Sequence, residues 1–486
     1  MKKNKIIPFL ISICLLFSLF APSAAALDEP QLHSAKAVVL ADLDSGRLLY
    51  EMNKDERRSP ASLTKIMTVL LAVEALEREE VSLDEMVTAQ ADCLAGLNTD
   101  SSTSGIQPGE VISYKDLLYC AMVHSANEAC NILAHRVSGS VPDFVALMNR
   151  RAAELGCTNT HFADPNGLSN ENHYTTAYEL YLITREALTH PLFAEICNTR
   201  GYDMAATNLS KARSFANSNA LITADSEYGS SYVYPAAAGV KTGFTQLAGY
   251  CLISTAEKDG VRLLAVVMGC DGWLNAGIEE YENFTDTIRL YNWAFDGFGY
   301  RQAVSSLSTV TRVPVEHADE SGAYASLRPQ NDVTLLLPKD LELSSIVLEP
   351  KIDEKKLVAP IEAGTVLGEA EILIDGESFG KVNLVNAMQV ELSKKEFMTQ
   401  RVHQTFSSPW IIAVIVVLAV FAILYLTMVL RYRAQRRKYL RRKREQAARR
   451  AARERGADPP LSIESTQRVA AIVDEELRRN KQKKKK

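Results

Sequence analysis

Trp410 to Leu430 is a run of 21 residues without one charged side chain, and it restricts the folding of this chain more than any other feature. At ~1.5 Å per residue a helix of that length crosses a hydrocarbon core of about 30 Å, so residues 410–430 are expected to span a membrane. Arg431, Arg433, Arg436, Arg437, Lys438, Arg441, Arg442, Lys443 and Arg444 follow directly, and the positive-inside rule assigns that flank to the cytoplasm. At the other end Lys2, Lys3 and Lys5 precede the apolar run Ile6 to Ala21, with Ala24, Ala25 and Ala26 where a signal peptidase cuts. Pro8 and an apolar run of roughly 15 residues suit a cleaved signal, residues 1–26, better than an uncleaved anchor. Cys14 follows Ile13 rather than a small residue, so lipidation is not expected. The two cues agree on an extracytoplasmic body, a single-pass anchor in the cell membrane and a cytoplasmic tail, 431–486.

With 486 residues, 47% apolar and 23% charged, the chain is neither disordered, collagen-like nor a disulfide framework. Two or three structural units are expected from its length. The net charge of −5 conceals a split, because residues 431–486 carry 21 Lys and Arg against 7 Asp and Glu, while residues 27–409 stand at −22. An acidic body repels an anionic substrate at long range, so capture depends on local cations. The basic tail suits anionic lipid, or a cytoplasmic protein partner; no nucleic-acid partner is expected. Seven cysteines follow the signal with no CxxC pair and read as small buried apolar residues. The 8 histidines show no ligand spacing, so neither a metal nor a cofactor is expected.

Ala37 to Ala41 and Leu48 to Met52 are apolar runs separated by Asp44-Ser45-Gly46, the pattern of a hairpin. From Pro60 onward Ile66, Met67, Leu70, Leu71, Val73 and Leu76 recur at helical spacing. Further helices are predicted over 114–123, 127–138, 142–155, 175–189 and 278–296. Strands return at Gly239 to Thr242, Tyr250 to Thr255 and Leu263 to Met268, the last two joined by Asp259-Gly260. A sheet drawn from both ends around a helical middle predicts an α/β (α+β) domain with an antiparallel sheet over residues 27–300. Short β-rich runs divided by Gly, Pro, Asn and Asp predict a small all-β domain over 301–400, ahead of the one transmembrane helix.

Three short motifs carry chemistry. Ser62-Leu63-Thr64-Lys65 opens the first long helix, and residues three apart share a face, so Lys65 is offered to Ser62 as a base. The free N–H groups of a helix start also favour an oxyanion beside that serine. Ser-x-x-Lys arises by chance roughly twice in ~500 residues, and a helix-start serine is ordinarily a cap. Ser125-Ala126-Asn127 is equally common and alone reads as a turn, whereas Lys241-Thr242-Gly243 is expected about 0.1 times per chain. Their conjunction, on a helix start, an interhelical connection and a strand, is far rarer than any one of them.

Here the chain resembles the serine-active penicillin-recognising enzymes. Pro60 to Thr68, Gly109-Glu110, Asp164 to Leu168, His173 to Ala177, Asn217, Asn219, Lys241 to Thr245 and Ala248 to Tyr250 are similar to the low-molecular-mass penicillin-binding proteins, over about residues 30–400. The resemblance implies a D-alanyl-D-alanine carboxypeptidase that removes the terminal D-Ala from peptidoglycan pentapeptide stems, regulates wall cross-linking and is inhibited covalently by β-lactams. It implies Ser62 as nucleophile, Lys65 as its base and Ser125 as proton relay. Asn127 would bind the peptide backbone, and Lys241, Thr242 and Gly243 the substrate end. Backbone N–H groups of Ser62 and Phe244 would make the oxyanion hole.

Departures from the pattern are Ala126, where glycine is frequent, and Met268 to Trp273, which lacks the basic residue common there. The crossing anchor also differs from the amphipathic helix of many relatives. A β-lactamase is disfavoured because Glu179 is followed by Leu180-Tyr181-Leu182-Ile183 rather than the spacing of a deacylating glutamate. A wall-binding scaffold is the reading from another class, and the intact polar set argues against it. Hydrolysis and transfer share one acyl-enzyme, and residue identity does not separate them.

Overall fold

The computed structural model describes residues 28–97, 99, 101–168, 171–275, 278–319, 322–406, 408–454 and 475. Residues 1–26, expected from sequence to be a signal, and nearly all of the tail beyond 454 lie outside the described residues. Contacts divide the chain into two compact units. One is residues up to Val310 with Arg328–Lys351 and Gly368–Leu384; the other is Thr311–Leu327, Ile352–Leu367 and the residues from Val385 on.

The expected hairpin forms from β1 (Ala37–Asp42) and β2 (Leu48–Met52). Its turn closes on the Asp42 carboxylate, which accepts from the Asp44 and Ser45 N–H groups, each at 3.3 Å. A short 3₁₀ turn, Ala61–Thr64, leads into α1 (Lys65–Glu77). The helical middle follows as β3 (Met86–Thr88), β4 (Val111–Ser113), α2 (Tyr114–Met122), α3 (Asn127–Ser138), α4 (Val141–Glu154), α5 (Ala177–Ala187) and α6 (Pro191–Cys197). The hairpin β5 (Gly201–Met204) with β6 (Arg213–Ala216) then precedes β7 (Ala237–Thr245), β8 (Gly249–Lys258) and β9 (Val261–Cys270). Asp259 and Gly260 both have positive φ, 53° and 79°, as the predicted two-residue turn requires.

The main sheet runs β2-β1-β9-β8-β7, antiparallel throughout, so the first and last strands of the domain are neighbours. Both faces are covered, which is why its central strands read as unbroken apolar runs. Val39, Leu264, Val266 and Met268 turn to the helical core that contains α1. Val38, Leu40, Leu263, Ala265 and Val267 turn to the other face, with Phe284, Leu290 and Tyr291 of α7 (Glu282–Gly297). Helix α1 is buried from Lys65 to Val73 without interruption, a core helix rather than the one-sided helix its spacing suggests.

Two sequence expectations shift. The helix predicted over 278–296 starts at Glu282, because β11 (Ile278–Tyr281) pairs with β10 (Gly272–Asn275). Helix α6 and the hairpins β3–β4 and β5–β6 were not anticipated; three- and four-residue strands are too short to display alternation. After α7 the chain is β-rich, with a two-stranded pair and a five-stranded sheet. A continuous helix, Pro409–Glu454, then contains the apolar run and is long and apolar enough to cross a membrane. All seven described cysteines are free and buried.

The start of the described chain is tied down by one carboxylate. Asp286 is fully buried, and its oxygens accept from the N–H groups of His33 at 2.8 Å, Ser34 at 3.1 Å and Ala35 at 3.0 Å, with Arg289 at 2.8 Å. Asp286→Ala removes the acceptor of three backbone donors, of which that of Ser34 is buried, and is expected to lower stability by about 3 kcal/mol, read from the midpoint of urea unfolding.

Candidate active site

Ala61 takes a left-handed backbone, φ 48°, which turns the chain sharply ahead of Ser62. Ser62 therefore sits on the 3₁₀ turn before α1, not on the helix itself. Residues three apart eclipse in a 3₁₀ turn, and Lys65 lies over Ser62. The Lys65 Nζ donates to Ser62 Oγ at 2.8 Å and to the Asn166 carbonyl at 2.7 Å, and the side chain is fully buried.

The Asn166 carbonyl is aimed by its own loop. Asp164 Oδ1 accepts from the N–H groups of Asn166 at 2.9 Å, Gly167 at 2.5 Å and Leu168 at 3.3 Å. Gly167 has φ 91°, and a Cβ there would lie 1.8 Å from the Ala61 carbonyl oxygen, so only glycine lets this loop close on the turn that carries Ser62. Thr64 ties the turn further, donating to the Ala61 carbonyl and meeting His173 Nε2, each at 2.8 Å.

Ser125, in the connection between α2 and α3, has φ 65°, and Asn127 is the first residue of α3. Both are nearly buried, and neither side chain has a hydrogen-bond partner among the described residues. On β7, an edge strand, Lys241 is buried and its Nζ also lacks a partner among the described residues. Thr242 Oγ1 meets Ser218 Oγ at 2.6 Å, and the Ser218 N–H donates to the Val123 carbonyl at 3.2 Å, which links β7 to the stretch ahead of Ser125. A Cβ on Gly243 would lie 3.1 Å from the Ser62 nitrogen and 3.2 Å from that of Leu63, so this strand packs directly on the turn that carries Ser62. Phe244 is 45% exposed and stacks on Tyr250 at 4.2 Å.

Burial dominates the electrostatics. It pushes the Lys65 ammonium down to about 8, against the opposing influence of Cys130, Asp164 and Glu128. It pushes Lys241 down to about 7, helped by the charge of Lys65. A hydroxyl beside a lysine that sheds its proton near neutrality, with a second buried amine close enough to repel it, is the equipment of an activated serine nucleophile.

The residues singled out from sequence thus gather around one turn: Ser62 with Lys65 directly, Gly243 against the Ser62 backbone, Lys241 through its charge, and Ser125 through Val123, Ser218 and Thr242. Sequence reasoning passed over Ser218 and the Asn166 carbonyl. A backbone acceptor leaves no mark on residue identity, and Ser218 was signalled only by its neighbours Asn217 and Asn219. Among the described residues one group offers three ligand atoms to a metal, Glu74, Glu186 and His190. Arg151 already pairs Glu74 at 2.8 Å and Glu186 at 2.5 Å, so it reads as an ion-pair network. A cavity of about 620 Å³ lined by Leu71, Glu74, Arg78, Leu147 and Arg150 includes none of the site's side chains. Glu179, the residue weighed for a β-lactamase, has its carboxylate engaged by the N–H groups of Thr158 at 2.8 Å and Asn159 at 2.7 Å.

Comparison with known proteins shows what the chain is similar to over most of its length. Residues 23–272 match the family model for D-alanyl-D-alanine carboxypeptidase, and residues 298–392 match that for the penicillin-binding protein 5 C-terminal domain. D-alanyl-D-alanine carboxypeptidase DacF of Bacillus subtilis is 31% identical over 402 residues, covering 82% of this chain and 96% of the relative. DacC of Escherichia coli is 30% identical, covering 80% and 94%. The crystal structure of penicillin binding protein 5 from Haemophilus influenzae superposes with a TM-score of 0.57 at 28% identity, covering 75% of this chain and all of that one.

Two outcomes test the site's packing. Gly167→Ala displaces the turn that carries Ser62, and a shift of ~1 Å lowers turnover by about 100-fold in a chain that still folds by circular dichroism. Lys241→Met removes a buried, unpartnered cation. Its folded pKa lies below the unfolded value of ~10.4, so the cost is full below about pH 7 and fades as pH rises toward the unfolded value. The variant is expected to be more stable than wild type at pH 6, by about 2 kcal/mol, with the gain shrinking at pH 9, as thermal unfolding at both pH values shows.

Proposed function

The chain belongs to the D-alanyl-D-alanine carboxypeptidase family of serine peptidases, and on that premise we propose that Ser62 is the nucleophile that removes the terminal D-alanine from peptidoglycan pentapeptide stems. The observation that carries the proposal is the buried 2.8 Å contact between Lys65 Nζ and Ser62 Oγ. Neutral Lys65 takes the Ser62 proton as Oγ attacks the carbonyl between the two D-alanines. The oxyanion forms against the backbone N–H groups of Ser62 and Phe244, a contribution of several kcal/mol in the transition state. Ser125 relays the proton to the leaving nitrogen, D-Ala departs, and water hydrolyses the ester with Lys65 again acting as base.

Asn127 holds the peptide backbone, and protonated Lys241, with Thr242 and Gly243, takes the terminal carboxylate. An anionic carboxylate at Lys241 favours the proton there, and a cation at that point keeps Lys65 neutral. β-Lactams enter the same route and acylate Ser62, and trimming of stems limits the donors for cross-linking. In this reading residues 1–26 are the export signal, 27–300 the peptidase domain and 301–400 a β-rich spacer. Residues 410–430 cross the cell membrane, and 431–486 form a cytoplasmic tail whose basic flank contacts anionic lipid.

Ser62→Ala is expected to abolish both D-Ala release and labelling by a fluorescent penicillin; labelling that persists removes Ser62 as nucleophile, and rapid penicillin turnover with an untouched peptide replaces the reading with a β-lactamase. The lysine pair works when it holds one proton. Below about pH 7 both amines are charged and no base is present; above about pH 8 neither cation remains for the carboxylate. The expected kcat/KM profile is therefore bell-shaped with its maximum between those limbs, and a flat profile from pH 6 to 9 counts against the assignment.

A further inference from the structure

Ser125 and Asn127 make no side-chain hydrogen bonds among the described residues, and Ser125 holds a left-handed backbone that most residues avoid. Their positions are therefore set through the backbone around them. That backbone is gripped by one short loop, residues 102–106, on both sides of Ser125. The Ser102 carbonyl accepts from the Asn127 N–H at 2.9 Å, Ser102 Oγ donates to the His124 carbonyl at 3.0 Å, and the His124 ring meets the Thr103 carbonyl at 3.1 Å. On the outer side, Arg213 Nη1 donates to the Ser104 carbonyl at 3.0 Å.

Glu128 is the side chain that closes this clamp. It is fully buried in the first turn of α3, next to Asn127. Its Oε1 accepts from the Ser104 N–H at 2.7 Å, Ser104 Oγ at 3.0 Å and the Ile106 N–H at 3.2 Å. Its Oε2 is buried with no partner among the described residues, so a single oxygen carries the whole tie. Burial pushes the carboxyl up, so a negative charge is disfavoured at this position.

We propose that Glu128 is a positioning residue for the peptidase reaction, whose one acceptor oxygen fastens loop 102–106 to the Ser125–Asn127 stretch and so fixes the proton relay and the peptide-binding amide. The inference rests on the function proposed above. It makes the acceptor, not a negative charge, the property that matters, and Gln is then the substitute that preserves it.

The test is D-Ala release from a pentapeptide by the full chain in detergent, with kcat and KM separated, for wild type, Glu128→Gln, Glu128→Asp and Glu128→Ala. Glu128→Gln is expected to keep kcat/KM within about three-fold of wild type, while Glu128→Ala loses at least about ten-fold, chiefly in kcat. Glu128→Asp, whose oxygen stops one carbon short, falls between them. A folded Glu128→Ala with wild-type kinetics overturns the proposal. So does a Glu128→Gln that is as poor as Ala, since that result makes the charge the working element. Should Glu128→Ala not fold, Gln against Asp decides: Gln above Asp supports the proposal and Asp above Gln overturns it. Wild type that releases no D-Ala defeats the function itself, and this inference with it.

Discussion

An amine that would carry a full charge in water is enclosed between a hydroxyl and a carbonyl, and the arrangement of the rest of the domain serves that enclosure. Lys65 is fully buried, yet its Nζ reaches both Ser62 Oγ and the Asn166 carbonyl. Desolvation disfavours the ammonium, and the fold withholds a paired carboxylate that would offset this; the neighbouring amine, Lys241, has no hydrogen-bond partner among the described residues. Such a pocket costs stability, and the apolar burial of α1 on every side supplies the rigid wall that sustains it.

Two backbone approaches set the geometry. Gly167 brings one loop against the Ala61 carbonyl, where a side chain would collide, and Gly243 brings the edge strand β7 against the Ser62 nitrogen, where a Cβ would be tightly packed. Two further residues, Ala61 and Ser125, hold left-handed conformations at the points where the chain turns into the site. Strain of this kind persists only where surrounding contacts over-determine it. The hydrogen bonds around Thr64 and along residues 102–106 meet that requirement.

Much of the fold was legible because it is written in period and punctuation. The β1–β2 hairpin, the Asp259-Gly260 turn and the long helices follow from alternation, helical spacing and turn chemistry, and the sheet joining both ends of the domain follows from where its strands lie. Strands β3 to β6 were not legible, since a three- or four-residue strand is stabilised by its partner and not by its own pattern. The 278–281 segment carried a helix-like sequence that pairing with β10 overrode. Of the candidate site residues, Ser62, Lys65, Ser125, Asn127 and Lys241 were singled out through motif spacing. The Asn166 carbonyl, Ser218 and Glu128 were missed because their contributions are contacts with segments distant in the chain.

Sequence by itself determined what is local or compositional: the uncharged run long enough to cross a bilayer, the basic flank behind it, the elements with strong periodicity, and three short polar motifs of the right chemistry in the right order. Tertiary structure alone decided which amine is dry, which carbonyl faces it and which hydroxyl it touches. A pKa, an oriented acceptor and a close backbone approach are properties of the space between segments, and that space exists only once the sheet has formed and α1 is packed in the core on one of its faces.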